Sequence, residues 1–193
     1  MKVRLLAAAA VLALTVLPAS FADARTDQWI ARARAAIGSE GALNQIRSIH
    51  FTGKLETTQK VPDATDATKT RDEQLLLGID IVFQKPDQQR MILRSDKVVE
   101  TTALDGYDAW LRRTDATDDK KWQLTLLDAQ QVKRLRANTW ENLSFYSGIE
   151  RRGGKVEFGG EATIDARACV KLIFTHADNI DFTRIFEQAT GRH

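Results

Sequence analysis

From Ser48 onward the hydrophobic residues of this chain recur every second position, in short runs separated by turn residues. That pattern commits most of the chain to half-buried β-strands, because alternate side chains of a strand point to opposite faces. Ile49, Phe51 and Leu55 alternate with His50, Thr52, Lys54 and Glu56. A polar stretch, Gln59 to Thr70, precedes a second run in which Leu75, Leu77, Ile79, Ile81 and Phe83 share one face. Lys85-Pro86-Asp87 marks a turn, and Arg90 to Arg94 returns. Val98 to Leu104 leads into Asp105-Gly106, a strong two-residue hairpin signal, and Tyr107 to Arg113 comes back. A second polar loop, Thr114 to Lys120, precedes Trp122 to Leu127. Toward the end, Val156 to Phe158 lies between the pairs Gly153-Gly154 and Gly159-Gly160. Ala168 to Thr175 and Ile180 to Glu187 flank the turn Ala177-Asp178-Asn179.

Two regions follow the helical period instead. Trp29, Ile30, Ala33 and Ile37 form one stripe, with Thr26 or Asp27 as cap and Gly38 as stop, followed by a short turn of helix capped by Ser39. In the middle of the chain Asp128 caps a run in which Val132, Leu135, Thr139, Leu143 and Tyr146 fall three or four apart, ending at Gly148. Eight or nine strands at hairpin spacing, with so few helices, predict a mainly β (α+β) fold. Consecutive hairpins favour antiparallel pairing, since parallel strands need longer crossovers. The apolar face of such a sheet must be covered by closure into a barrel, by a second sheet or by helices laid across it. No internal repeat and no linker is apparent, so residues 25–193 are expected to form a single domain.

The N-terminus reads as an export signal. Lys2 and Arg4 precede an uncharged run of 13 residues, Leu5 to Leu17; Pro18 follows, and Ala22-Asp23-Ala24 fits a small-residue cleavage site. The run is short for a membrane span, which needs about 20 residues, and no cysteine stands there for lipid attachment. Residues 1–24 are therefore expected to be removed, leaving a soluble periplasmic chain. Setting aside Lys2, Arg4 and Asp23 leaves 26 basic and 25 acidic residues, a balance that argues against nucleic acid as a partner. Cys169 is the single cysteine, so no internal disulfide forms; it reads as a small buried residue in a strand.

No catalytic constellation is visible: there is no nucleophile elbow, P-loop, dinucleotide fingerprint or zinc-protease motif. The chain is thus expected not to be an enzyme, and neither cofactor nor metal is implied. His50 and His176 stand on strand-like segments without a second ligand at metal spacing and read as surface or rim residues. Asp115, Asp118 and Asp119 form an acidic loop lacking the glycine and terminal glutamate of a calcium site. What remains is apolar surface. Phe51, Leu55, Leu77, Ile79, Ile81, Phe83, Met91, Leu93, Trp110, Trp122, Leu124 and Leu143 are the candidate lining of an apolar cavity. Their spacing fits a filled core equally well.

Several stretches resemble the outer-membrane lipoprotein-sorting protein family, the LolA-like periplasmic carriers. They are Ala33-Arg34-Ala35-Ala36-Ile37-Gly38 with Ala42-Leu43 and Ile46, Ser48-Ile49-His50-Phe51-Thr52-Gly53, Lys85-Pro86-Asp87, Asp105-Gly106 with Trp110, and Thr190-Gly191. The resemblance implies a half-open antiparallel β-barrel, or a strongly curved sheet, with a helical lid over an apolar cavity. It also implies a function: carriage of lipid or lipoprotein acyl chains between membranes. An alternative on the same fold is a protein-interaction or envelope-stress sensing module that binds a membrane protein through a sheet edge or the two polar loops. No local motif places the family's lid-holding arginine on a residue here. The family's further strands after Thr190-Gly191 have no counterpart before His193, which marks the chain as a short member or a C-terminally truncated one.

Overall fold

The computed structural model describes residues 24–193 apart from positions 64, 67 and 178; the expected export signal, residues 1–24, lies outside the described residues except for Ala24. Among the described residues the fold is mainly β, with three α-helices and two antiparallel sheets. Helices α1 (Ala24–Ile37) and α2 (Glu40–Gln45) lead into six strands paired strictly in chain order. These are β1 (Ser48–Pro62), β2 (Thr70–Gln84), β3 (Gln88–Arg94), β4 (Val98–Asp105), β5 (Asp108–Asp115) and β6 (Trp122–Leu126). Helix α3 (Ala129–Leu143) and a 3-10 turn, Ile149–Arg152, connect to β7 (Lys155–Ile164), β8 (Arg167–His176) and β9 (Ile180–Glu187), which form the second sheet. The strand ladder is interrupted between β6 and β7, where α3 intervenes, and neither sheet closes into a barrel.

Helix α3 is the centre of the molecule. Asp128 accepts a hydrogen bond from the Gln131 amide, and the Gln131 side chain accepts one from the Asp128 amide, so two otherwise orphaned donors are satisfied. One side of α3 packs Val132 and Leu135 against Leu104 and Ala109 of the larger sheet. Trp140, on another side, joins Ala33 of α1 and Val170, Leu172, Phe174 and Phe186 of the smaller sheet. The cross-strand partners Val170–Phe186, Phe174–Phe182 and Val156–Phe174 put these residues on one face, as period-two alternation requires.

Several boundaries differ from the sequence reading. Helix α3 stops at Leu143, five residues before Gly148, because Phe145 and Tyr146 take left-handed backbone angles (φ 51° and 69°). Thr26 and Asp27 lie inside α1 instead of capping it, and Ile37 is exposed. The pair Gly159-Gly160 is no turn: β7 runs through it with a shift of register between Phe158 and Glu161, a bulge that Gly160 permits at φ 98°. The polar loops are also shorter than expected, since β1 extends to Pro62, β2 begins at Thr70 and β5 extends to Asp115. Strand β3 pairs with β2 only from Gly78 to Gln84, so Leu55–Pro62 and Thr70–Leu77 form a two-stranded ribbon beyond the rest of the sheet. Eight residues in each strand give it a reach of roughly 26 Å.

A short sequence recurrence appears at the two loop ends. Asp63-Ala-Thr-Asp-Ala-Thr-Lys69 and Asp115-Ala-Thr-Asp-Asp-Lys-Lys121 share the pattern D-A-T-D-x-x-K. In each, the first Asp amide donates to the Lys carbonyl at 2.9 Å and the Thr amide donates to the first Asp carboxylate at 2.8 Å. In each, the Lys ammonium also lies 3.2 Å from the second Asp. The same local chemistry therefore closes both hairpins.

Candidate functional site

Cross-strand partners of an antiparallel sheet project to the same side, so the register of the larger sheet assigns its two faces. The row Phe51–Ile81–Met91–Thr102–Leu111 lies on the inner face, the one that meets α3. Two residues along each strand, the same face carries Phe83, Gln89, Leu104 and Ala109 in one direction, and Ile79, Leu93, Glu100 and Arg113 in the other. Leu55 pairs with Leu77 farther on, and Leu75 follows on the ribbon.

Cover is uneven along this face. Phe83, Leu104 and Ala109 are 3–5 % exposed beneath α3. Gln89 is buried with them, 3.3 Å from the Thr139 hydroxyl, which itself donates to the Leu135 carbonyl at 2.9 Å. Beyond the helix the apolar surface continues: Phe51 is 46 % and Leu55 42 % exposed, while Leu77, Ile79, Ile81, Met91 and Leu93 are half-buried. Phe51 stands edge-on to Phe83 with ring centroids 6.1 Å apart, linking the open end to the packed one. An ion pair, Arg113 to Glu100 at 2.8 Å, borders the face toward β4 and β5.

The structure thus brings eight of the twelve expected lining residues onto one face: Phe51, Leu55, Leu77, Ile79, Ile81, Phe83, Met91 and Leu93. Leu143 is 2 % exposed on α3, one turn past Thr139, and is solid core. Trp110, Trp122 and Leu124 lie on the opposite, outer face. Trp110 pairs with Ala103, and Leu124 with Arg112, in the rows that carry Arg90 and Thr101. Period-two spacing showed that Trp122 and Leu124 share a face, but the face itself is set by the register with β5. There the Arg112 guanidinium lies 5.0 Å from the Trp122 ring.

The histidines divide. His50 is exposed on the outer face, 3.3 Å from Asp80. His176 is not a rim residue: it is 7 % exposed, with its Nε2 2.9 Å from Glu141 Oε1. The Arg184 guanidinium donates to the other oxygen of Glu141 at 3.1 Å, so a fully buried carboxylate is held between two basic groups. Burial, opposed by nothing larger, lowers the His193 pKa, with the positive charge of Arg184 adding to the effect. Cys169 is buried on β8 and unpaired. Among the described residues no cluster of histidine, cysteine or carboxylate groups could hold a metal ion. Nor is any described helix long and apolar enough to cross a membrane.

One residue the sequence reading left unassigned is Arg34. It is buried, 6 % exposed. Its guanidinium makes a two-point contact with Glu40 at 2.7 and 2.6 Å and donates to the carbonyls of Ser144 and Phe145 at 3.1 and 2.7 Å. Helix α1 is thereby tied both to α2 and to the C-terminal end of α3, where main-chain carbonyls lack helical partners.

No family model, curated protein or solved structure matches the chain.

Proposed function

We propose that this protein is a periplasmic carrier that holds an acyl chain of a lipid or lipoprotein against the open part of the inner face, on a LolA-like architecture. The observation that carries the reading is the continuation of that apolar face past the end of its helical cover. The buried row at Phe83 and Leu104 passes without a break into Phe51 and Leu55, which keep 46 % and 42 % of their surface in water. Moving a methylene from water onto such a surface is worth about 0.8 kcal/mol, so a long chain laid along it gains several kcal/mol. The reading includes export to the periplasm, no catalytic step, and neither cofactor nor metal.

The test is native mass spectrometry with lipid extraction on protein purified without detergent. A discrete added mass resolving into phospholipid or acylated peptide supports a carrier. A clean apoprotein mass, together with no binding of fluorescent fatty acids, defeats it.

A second reading is supported by the outer face. Trp122, Leu124 and Leu126 are 56 %, 46 % and 76 % exposed on one side of β6, which is an edge strand. An exposed apolar edge of this kind is a template for pairing with another chain, as an envelope-stress sensing module would use to bind a membrane protein. A stable co-purifying protein without lipid favours this reading over the first.

A further inference from the structure

At the opposite end of α3 from the Arg34 contacts, a cleft of about 680 Å³ opens between the N-terminal half of the helix, Tyr107 of the β4–β5 turn and the 3-10 turn. Its volume falls within the usual range of small-ligand sites. None of the twelve residues of the expected apolar lining borders it. Four cationic side chains do: Lys133, Arg136, Arg151 and Arg152. No carboxylate is among the described residues of the wall.

A counter-charge, Asp87, lies in the β2–β3 turn and holds two of these guanidinium groups. Its two oxygens accept from Arg136 at 3.0 Å and from Arg152 at 2.8 Å, and its side chain is 13 % exposed. One carboxylate therefore fixes two guanidinium groups, each of which retains donors it does not use on Asp87. Arg136 Nη1 is buried and makes no hydrogen bond, so Asp87 does not satisfy this guanidinium fully. The Arg136 guanidinium also lies 3.7 Å from the centroid of the Tyr107 ring, and that ring is 79 % exposed. An exposed aromatic stacked on a held arginine makes a flat platform at the cleft mouth. Leu127, Val132, Ala137 and Ile180 supply an apolar floor.

We propose that this cleft binds a phosphate-bearing anion, with the phosphate oxygens taking donors from Arg136, Arg151 and Arg152 and the organic part lying over the apolar floor. Guanidinium groups suit phosphate because their planar fork donates two parallel hydrogen bonds. The site is separate from the acyl-binding face and stands whether or not that face holds a lipid. The phosphate belongs either to a small soluble ester or to the headgroup of a lipid.

Isothermal titration of the purified protein with inorganic pyrophosphate and with monomeric dihexanoyl phosphatidic acid tests this, with dihexanoyl phosphatidylcholine as the zwitterionic comparison. The expected result is saturable binding of at least one anionic probe, weakened about tenfold by Arg151→Gln, which removes one charged donor. Tyr107→Ala, at an exposed ring, weakens the organic probe more than pyrophosphate. Lys54→Gln, on β1 and outside the cleft wall, leaves both unchanged. Tighter binding of the phosphatidic acid identifies a lipid headgroup; equal or tighter binding of pyrophosphate identifies a soluble phosphate ligand. The proposal is overturned if neither anionic probe binds at millimolar concentration, or if Arg151→Gln and Lys54→Gln have the same effect.

Discussion

The Arg34 guanidinium donates to the main-chain carbonyl of Phe145 at 2.7 Å, joining residues 111 positions apart. Phe145 is the first residue past the C-cap of α3 and has φ 51°, so its carbonyl cannot be satisfied by a continuing helix. The contact fixes the place where the central helix ends.

Arg34→Met keeps much of the side-chain bulk but leaves the Ser144 and Phe145 carbonyls without this donor. The expected loss is about 2–4 kcal/mol of unfolding free energy, because charge-assisted hydrogen bonds to buried groups are removed. Glu40→Gln, at an exposed and solvent-screened partner, is expected to cost less than Arg34→Met. Urea denaturation followed by tryptophan fluorescence distinguishes the two; equal effects would mean that the ion pair, not the carbonyl anchor, matters.

The same arginine sets an acid limit. The Glu40 carboxyl is held below its ordinary value of 4.5, chiefly by the hydrogen bond from Arg34, with a smaller opposing effect of desolvation. A lowered folded-state value means the contribution is complete above the ordinary value and disappears as pH falls through the lowered one. Carboxyl-detected NMR titration is expected to show Glu40 titrating below pH 4.5, and returning toward it in Arg34→Met.

Glu141 is the buried hinge of a second network. Glu141→Ala leaves His176 and Arg184 facing each other without the carboxylate, and the expected cost is about 3–5 kcal/mol. Glu141→Gln retains hydrogen bonding and costs less. Because the Trp140 ring lies 5.3 Å from the His176 ring, a shift in tryptophan emission is expected to accompany the loss. Unchanged stability in Glu141→Ala would show that the network contributes nothing net.

The inner face separates packing from binding. Phe83→Ala removes a 4 %-exposed ring and is expected to cost about 3–5 kcal/mol. Leu55→Lys, at a site already 42 % exposed, is expected to change stability by about 0.5 kcal/mol or less and yet to abolish uptake of a fluorescent fatty acid. Unfolding by Leu55→Lys, or undiminished uptake, would place the acyl chain elsewhere.

The paired loops permit an internal comparison. Asp63 and Asp115 are both held below the ordinary 3.8, first by the side-chain hydrogen bond from Thr65 and from Thr117 respectively. Thr65→Val and Thr117→Val are expected to raise the corresponding aspartate toward that value without affecting the other, as read by NMR titration. Identical shifts would confirm that D-A-T-D-x-x-K specifies one loop geometry.

Local chemistry was the legible part of the sequence. Ser39 and Asp128 cap helices where side chains of those types satisfy nearby amides. The hairpin signalled by Asp105-Gly106 is present, although its two-residue loop is Gly106-Tyr107, with Asp105 paired to Asp108 and Gly106 left-handed at φ 63°. What depended on distant partners was not legible. Arg34 has no assignable partner in the sequence until the C-cap of α3, Ser144, arrives 110 residues later. Trp122 could not be assigned a face before its pairing with Thr114 was known. Gly159-Gly160 has the composition of a turn, and only the continued pairing of β7 with β8 shows it to be a bulge. The cationic cleft was equally hidden, since Tyr107, Arg136 and Arg151 come from three separate segments.

The seating of α1 has a consequence for the order in which the molecule assembles. Every strand of the larger sheet pairs with its immediate predecessor, so that sheet zips by short-range steps. Helix α1 meets its neighbour α2 through Arg34 and Glu40, but its apolar stripe packs elsewhere. Its Trp29, Ile30 and Ala33 pack on strands of the smaller sheet, and Arg32 donates to the Ala189 carbonyl 157 positions away. A chain emerging from its N-terminus therefore produces α1 long before the strands it packs on, and docks it after β9 exists. Until then its apolar stripe stays uncovered, available to whatever chaperone meets the unfinished chain.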